Sequence, residues 1–135
     1  MISSYGNNSK TIASEGAVTF DVNRIVTGCT ITHAEGTPSF KLNKPGYYFV
    51  IFNGDVTGAT GDVVIQLTSN GVAIPGSEAT TTLGANTDTA NISFSSIIKV
   101  LPSCTVIDNL QTLVFVNAGV EATFTNVNVI ITKLC

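Results

Sequence analysis

The sequence predicts an all-β fold: two antiparallel sheets packed as a sandwich, in one domain. Three observations predict it. Val, Ile, Thr, Phe and Tyr suit a pleated, half-buried surface, and together they make up roughly two-fifths of the chain. Apolar residues recur with period two or in short unbroken runs, whereas windows of period 3.6 are hard to find. Gly, Asn, Asp and Pro bound these runs, with no linker and no long internal repeat between them. At 135 residues the chain has the length of one domain and hides about two-thirds of its unfolded surface, so a core forms without cross-links.

Taken in order, the polar segment 1–15 is too rich in Ser and Asn to join the core, and it reads as an arm available for attachment. The sandwich then occupies 16–135. Strands are expected at Gly16–Phe20, Arg24–Val26, Cys29–Thr32 and Ser39–Leu42. Lys44-Pro45-Gly46 turns the chain into the strongest strand, Tyr47–Val56, and Gly58-Ala-Thr-Gly61 forms a flexible tip before Asp62–Thr68. Asn70-Gly71 comes next; both residues tolerate positive φ, which a two-residue type I′ hairpin requires. The hairpin returns through Val72–Ile74, which Pro75-Gly76 ends, since Pro presets one turn angle and Gly allows the next. Ala79–Leu83, Ala90–Leu101 and Thr112–Val116 are the next strands, and Asn117-Ala-Gly119 turns into the last one, Ala122–Lys133.

Alternation tells which faces are covered. Val63, Ile65 and Leu67 share one face of their strand, and Val64, Gln66 and Thr68 the other, as a sandwich strand requires. In 47–52 both faces are apolar: Tyr48, Val50 and Phe52 on one, Tyr47, Phe49 and Ile51 on the other. The last strand reads the same way under unbroken alternation, with Phe124, Asn126, Asn128, Ile130 and Thr132 opposing Thr125, Val127, Val129, Ile131 and Lys133. A two-layer sandwich covers one face per strand. Strands apolar on both sides need another cover, and for a chain so poor in charge the economical cover is a second copy. Tyr47, Tyr48, Phe49, Phe52, Phe115, Phe124, Val127 and Val129 are therefore the expected core and subunit-interface residues.

Three stretches resemble a known superfamily. They are Lys44-Pro-Gly-Tyr-Tyr-Phe-Val-Ile-Phe52, then Val63 to Ser77 with its Asn70-Gly-Val-Ala-Ile-Pro-Gly76 hairpin, then Leu113 to Lys133 with a Gly-bearing turn before a long strand. In order and spacing they are similar to the tumour-necrosis-factor-like and complement-globular-head jelly rolls. The nearer likeness is to the bacterial and phage branch, which includes C-terminal domains of spore-surface collagen-like proteins and phage head-fibre or decoration proteins. The likeness covers about Phe20 to Cys135. It implies a jelly roll of about ten strands assembled as a homotrimer, and implies no chemistry, because this fold hosts ligands, recognition heads and inert knobs. Two features depart from the pattern: there is no collagen-like stalk, and no acidic cluster at a loop tip to hold the calcium of some relatives.

Composition narrows the function classes. Hydrophobic residues reach 44%, but charged residues only 11%, against about 25% in typical soluble proteins. Disorder is excluded, since it pairs low hydrophobicity with high net charge. Nucleic acid is an unsuitable partner: six Lys and Arg against nine Asp and Glu leave no surplus for phosphates. The N-terminus has no basic start followed by an apolar stretch, so no signal peptide is expected, and no apolar run is long enough for a membrane span. Cys29, Cys104 and Cys135 form no C-x-x-C pair and read as small buried thiols, with a Cys104–Cys135 bridge left open.

No cofactor, metal or catalytic set is expected. His33 is the only histidine and reads as a loop-surface residue, because a triad partner cannot be nominated from abundant Ser and Thr. Asp55 and Asp62 flank the glycine tip but lack calcium-loop spacing, as do Asp88 and Asp108; solvated turn acids is the plainer reading. Gly58 to Asp62 lacks the Lys-Ser/Thr of a phosphate cradle. Trp is absent, which weakens a sugar-stacking face without removing it. The expected function is a non-enzymatic structural or binding protein, trimeric and mounted on a phage virion, with the 1–15 arm as its link to a capsid protein. The alternative is a recognition head that binds host glycan or protein through its loop tips.

Overall fold

The computed structural model describes residues 1–102 and 111–134. They hold eleven strands and no helix: β1 (Ile2–Tyr5), β2 (Lys10–Ile12), β3 (Val22–Val26), β4 (Ile31–His33), β5 (Phe40–Leu42), β6 (Gly46–Thr57), β7 (Gly61–Ser69), β8 (Val72–Leu83), β9 (Thr89–Val100), β10 (Gln111–Asn117) and β11 (Ala122–Lys133). One sheet runs β3-β1-β11-β6-β9, with β2 also pairing β11; the other runs β4-β5-β10-β7-β8. All pairings are antiparallel. From β5 to β11 the chain passes from sheet to sheet at every step except the β7–β8 hairpin, and this makes the sandwich a jelly roll.

The core lies between the sheets. Tyr48, Val50 and Phe52 of β6 and Val63, Ile65 and Leu67 of β7 are all fully buried there. Phe20, Phe40, Phe52 and Phe115 fill the centre, with ring centroids 5.0 Å apart for Phe52 and Phe115 and 5.3 Å for Phe20 and Phe40. At the hairpin tip Asn70 and Gly71 both have positive φ, 51° and 84°, as the type I′ turn demands.

The N-terminal segment departs from expectation. Residues 1–15 are no free arm: β1 lies between β11 and β3, Ile2 is fully buried, and β2 pairs with β11. The Ser-rich composition misleads because Ser3 and Tyr5 face outward, while Ser4 is buried and donates to Asn23 Oδ1 at 2.7 Å. Asn117 fastens the end of β2 to the turn before β11, its Nδ2 donating to Ile12 O at 3.1 Å and Val120 O at 2.9 Å. The expected strand at Gly16–Phe20 reduces to single bridges at Ala17 and Phe20 around a buried Val18.

Two bulges correct the strand reading. Pro75-Gly76 does not end a strand: β8 runs through it, with residues 74–77 bulging opposite Leu67 and Gly76 at φ 79°. Gln66 Nε2 donates to the carbonyls of Leu67, Ile74 and Ser77, fastening the widened stretch. In β11 the residues 126 and 127 both stand opposite Gly54, and Asn126 takes φ 53°. The extra residue reverses the side-chain parity, so Phe124 and then Val127, Val129 and Ile131 all point inward. The last strand is thus not apolar on both faces. Of Asn128, Ile130 and Thr132, which face out, only Ile130 is apolar.

Candidate interaction face

The outer face of the larger sheet is built by β3, β1, β11, β6 and β9, and the pairing registers arrange its side chains in rows. At one end Tyr47 stands beside Lys99, whose Nζ lies 5.8 Å from the ring centroid. Next come Thr132, Phe49 and Ile97, then Ile25, Ser3, Ile130, Ile51 and Ser95. Tyr47 is 43% exposed, Ile97 60% and Ile25 41%. Large apolar groups gathered on one open face are unusual for a monomer, where they occur singly.

Beyond this band the same face turns polar. Tyr5, Asn128, Asn53 and Ser93 form one row, then Thr125, Asp55 and Asn91. Here the amides are tied to one another. Asn91 Nδ2 donates to Asn53 Oδ1 at 2.8 Å, to Gly54 O at 3.0 Å and to Asp55 Oδ1 at 3.3 Å, and Asn126 Nδ2 donates to Asp55 Oδ2 at 3.2 Å. The boundary falls at the β11 bulge, where Val127 packs against the bare Cα of Gly54; a Cβ on Gly54 would lie 2.9 Å from Val127 Cγ1.

The expected interface residues divide between the two faces. Tyr48, Phe52, Phe115, Phe124, Val127 and Val129 lie in the core of the chain itself, and only Tyr47 and Phe49 stand on the open face. Ile97, Ile130 and Ile25 join them there. Ile97 has a signal in the sequence, as an isolated apolar residue among the outward Ser and Lys positions of β9. The Asn126 bulge has a weaker one: Asn is the residue best suited to positive φ after glycine, placed inside a strand.

His33 is not a loop-surface residue. It closes β4 half-buried, stacked on Phe40 with centroids 4.2 Å apart. Its Nδ1 lies 2.6 Å from Asn23 Oδ1 and its Nε2 2.8 Å from Thr37 O. Burial pushes the imidazole below its ordinary pKa, while the Thr37 carbonyl and the Glu35 charge pull the other way. With both nitrogens engaged, the ring serves as a strut between β3 and the 34–37 turn, and has no nitrogen to offer a metal or substrate. Cys29 is exposed, against the expectation of a buried thiol; Cys104, Cys135 and Asp108 lie outside the described residues. Among the described residues no group of three or more His, Cys, Asp or Glu converges on a metal position, and no helix is long and apolar enough to cross a membrane.

Comparison with known proteins locates the fold. No sequence-family model matches the chain, and no curated protein is similar to it in sequence. Among solved structures it is similar to the globular domain of the zebrafish complement 1qA protein, with TM-score 0.72 and 12% identity over 99% of this chain and 96% of that one. Murine APRIL gives TM-score 0.76 and 7% identity, over 98% and 97% of the two chains. The PRD1 vertex protein P5 gives TM-score 0.55 and 16% identity, over 99% and 96%. The fold is the jelly roll of the tumour-necrosis-factor-like and complement-head proteins, as the sequence motifs implied.

Proposed function

We propose that this chain is a non-enzymatic structural or binding protein that works as a homotrimer, packed through the apolar band of the larger sheet and mounted on a phage virion as a head-fibre or decoration protein. The observation that carries the reading is the open band of Tyr47, Phe49, Ile51, Ile97 and Ile130, which a single copy leaves in water. Apolar area of this kind is worth about 25 cal/mol per Å² once covered, and self-association covers it in every copy at once. The low charge of the chain supports the same reading, because little like-charge repulsion opposes association. The likeness to a protein named for a vertex supports placement on a particle. The link to that particle is not a free N-terminal arm, since β1 and β2 are parts of the sheet.

Native mass spectrometry of the intact chain tests the assembly: a species of three times 14.0 kDa is expected at micromolar concentration. A chain that stays single throughout that range overturns it. Protein mass spectrometry of purified particles tests the location separately; absence from the particle removes the virion role and leaves the trimer standing. A second reading, a recognition head for host glycan or protein, is favoured by the edge of the polar half, where the Arg24 guanidinium, the Tyr5 hydroxyl and the Asn128 amide make no side-chain hydrogen bond among the described residues.

A further inference from the structure

We propose that the cleft between β1, β3 and the bulge of β11 binds a carboxylated sugar, the acid end held by Arg24 and the hydroxyls by Asn128, Asn126 and Tyr5. This rests on the recognition-head reading and moves its site from the loop tips to the sheet face. The cleft has a volume of about 330 Å³, at the low end for small-molecule sites, and adjoins a second depression of about 240 Å³ with which it shares Tyr5, Gly6 and Asn126.

Two irregularities on separate strands turn side chains toward this one place. Asn126 stands in the left-handed region at the β11 bulge, and the register of β3 against β1 shifts between Ser3 and Ser4, with Arg24 as the additional residue. Bulges re-aim side chains and recur beside functional sites. The Arg24 guanidinium carbon lies 4.7 Å from the Tyr5 ring centroid, a cation–π contact that uses none of its N–H donors. Neither Arg24, the Tyr5 hydroxyl nor the Asn128 amide makes a side-chain hydrogen bond or ion pair among the described residues. The Asn126 carbonyl oxygen is free as well, because only its amide nitrogen is engaged. The nearby amide of Asn91 differs: it donates to Asn53 Oδ1 and to Asp55 Oδ1, and both Asp55 oxygens accept hydrogen bonds.

The mixture of groups selects the ligand class. A guanidinium fork matches a carboxylate with two parallel hydrogen bonds. Free amides offer donor and acceptor together, which suits sugar hydroxyls that do the same. Inorganic phosphate at neutral pH carries only one or two hydroxyl donors beside its acceptor oxygens, so it meets the guanidinium but serves the amide carbonyls less well than a ring with several hydroxyls.

The test is a titration of the intact protein with glucuronic acid, glucose and inorganic phosphate, followed by amide and side-chain NMR shifts, with the oligomer mass measured on the same samples. Glucuronic acid is expected to shift Tyr5, Asn126 and Asn128 in the millimolar range, with glucose at least about tenfold weaker, as loss of a charge-assisted pair predicts. Arg24→Gln should weaken glucuronic acid at least about tenfold at unchanged melting temperature and mass, and Asn128→Ala by a smaller factor. Equal binding of glucose, equal binding of phosphate at the same residues, an unaffected Arg24→Gln variant, or no shifts in the millimolar range would each overturn the proposal. So would a Glu-rich peptide that binds the same residues while glucuronic acid does not. A single-chain mass with glucuronic acid bound would remove the trimer and leave this site in place.

Discussion

The two halves of the outer face of the larger sheet are made by the same strands, yet they solve the exposure of their side chains in opposite ways. On the rows through Tyr47, Phe49 and Ile51 the groups are apolar and have no cover within the chain. On the rows through Asn53 and Asp55 they are polar, and hydrogen-bond across β11, β6 and β9 instead. Beneath both halves the core is continuous, since Tyr48 and Phe124 are both buried. The difference therefore belongs to the surface: one half leaves apolar groups uncovered, while the other is largely satisfied by itself except at the Tyr5 and Arg24 edge.

The largest change should come from the shared core. Tyr48→Ala beneath the apolar half and Phe124→Ala beneath the polar half should each cost about 3–5 kcal/mol in denaturant unfolding. A much smaller loss at Phe124 would mean that the polar half sits on a looser base. Next in size is the surface contrast: Phe49→Asp should weaken self-association by about 2 kcal/mol or more while the secondary structure stays. Asn53→Asp, two rows away, should leave the oligomer mass unchanged; equal effects of the two would erase the division between the halves.

The bulge that separates the halves is tested by Gly54→Ala, which drives a Cβ against Val127 and should cost about 1–3 kcal/mol. Adding Val127→Ala should recover part of that loss in a double-mutant cycle; strict additivity would mean the two side chains do not meet. Gly71→Val is the control in the other sheet. Nothing lies within 4 Å of a Cβ there, so only the positive φ opposes the substitution. A strain of about 1–2 kcal/mol is expected, read as a lowered melting temperature. The smallest effect concerns Asp21, whose hydrogen bond and ion pair with Lys10 hold its carboxyl below the ordinary pKa. A depressed carboxylate stabilises above its unfolded pKa, and that contribution disappears as pH falls through the folded value. For a part-exposed pair it should be under about 1 kcal/mol, and Asp21→Asn should flatten the acid limb of the stability profile.

Much of the fold is legible in the sequence because β-sandwich rules are local. Period-two patterning identifies the inward faces of β6 and β7, and Asn70-Gly71 announces its own turn. The departures have a common physical source. Asn126 and Pro75-Gly76 sit where a strand outnumbers its partner, by one residue in β11 and by three in β8, and alternation counted through them assigns the wrong face or ends the strand early. The segment 1–15 looks like an arm because composition averages over Ser3 and Ile2, which face opposite ways.

The sequence by itself determined the all-β class, the hairpin at residue 70 and the core side of the central strands, since each depends on residues within a few positions of one another. Tertiary structure alone decided that Ile2 is core, that Val127 and not Asn126 turns inward, and that Arg24 meets Tyr5. These depend on which strands become neighbours, and a neighbour's register is set by contacts far apart along the chain.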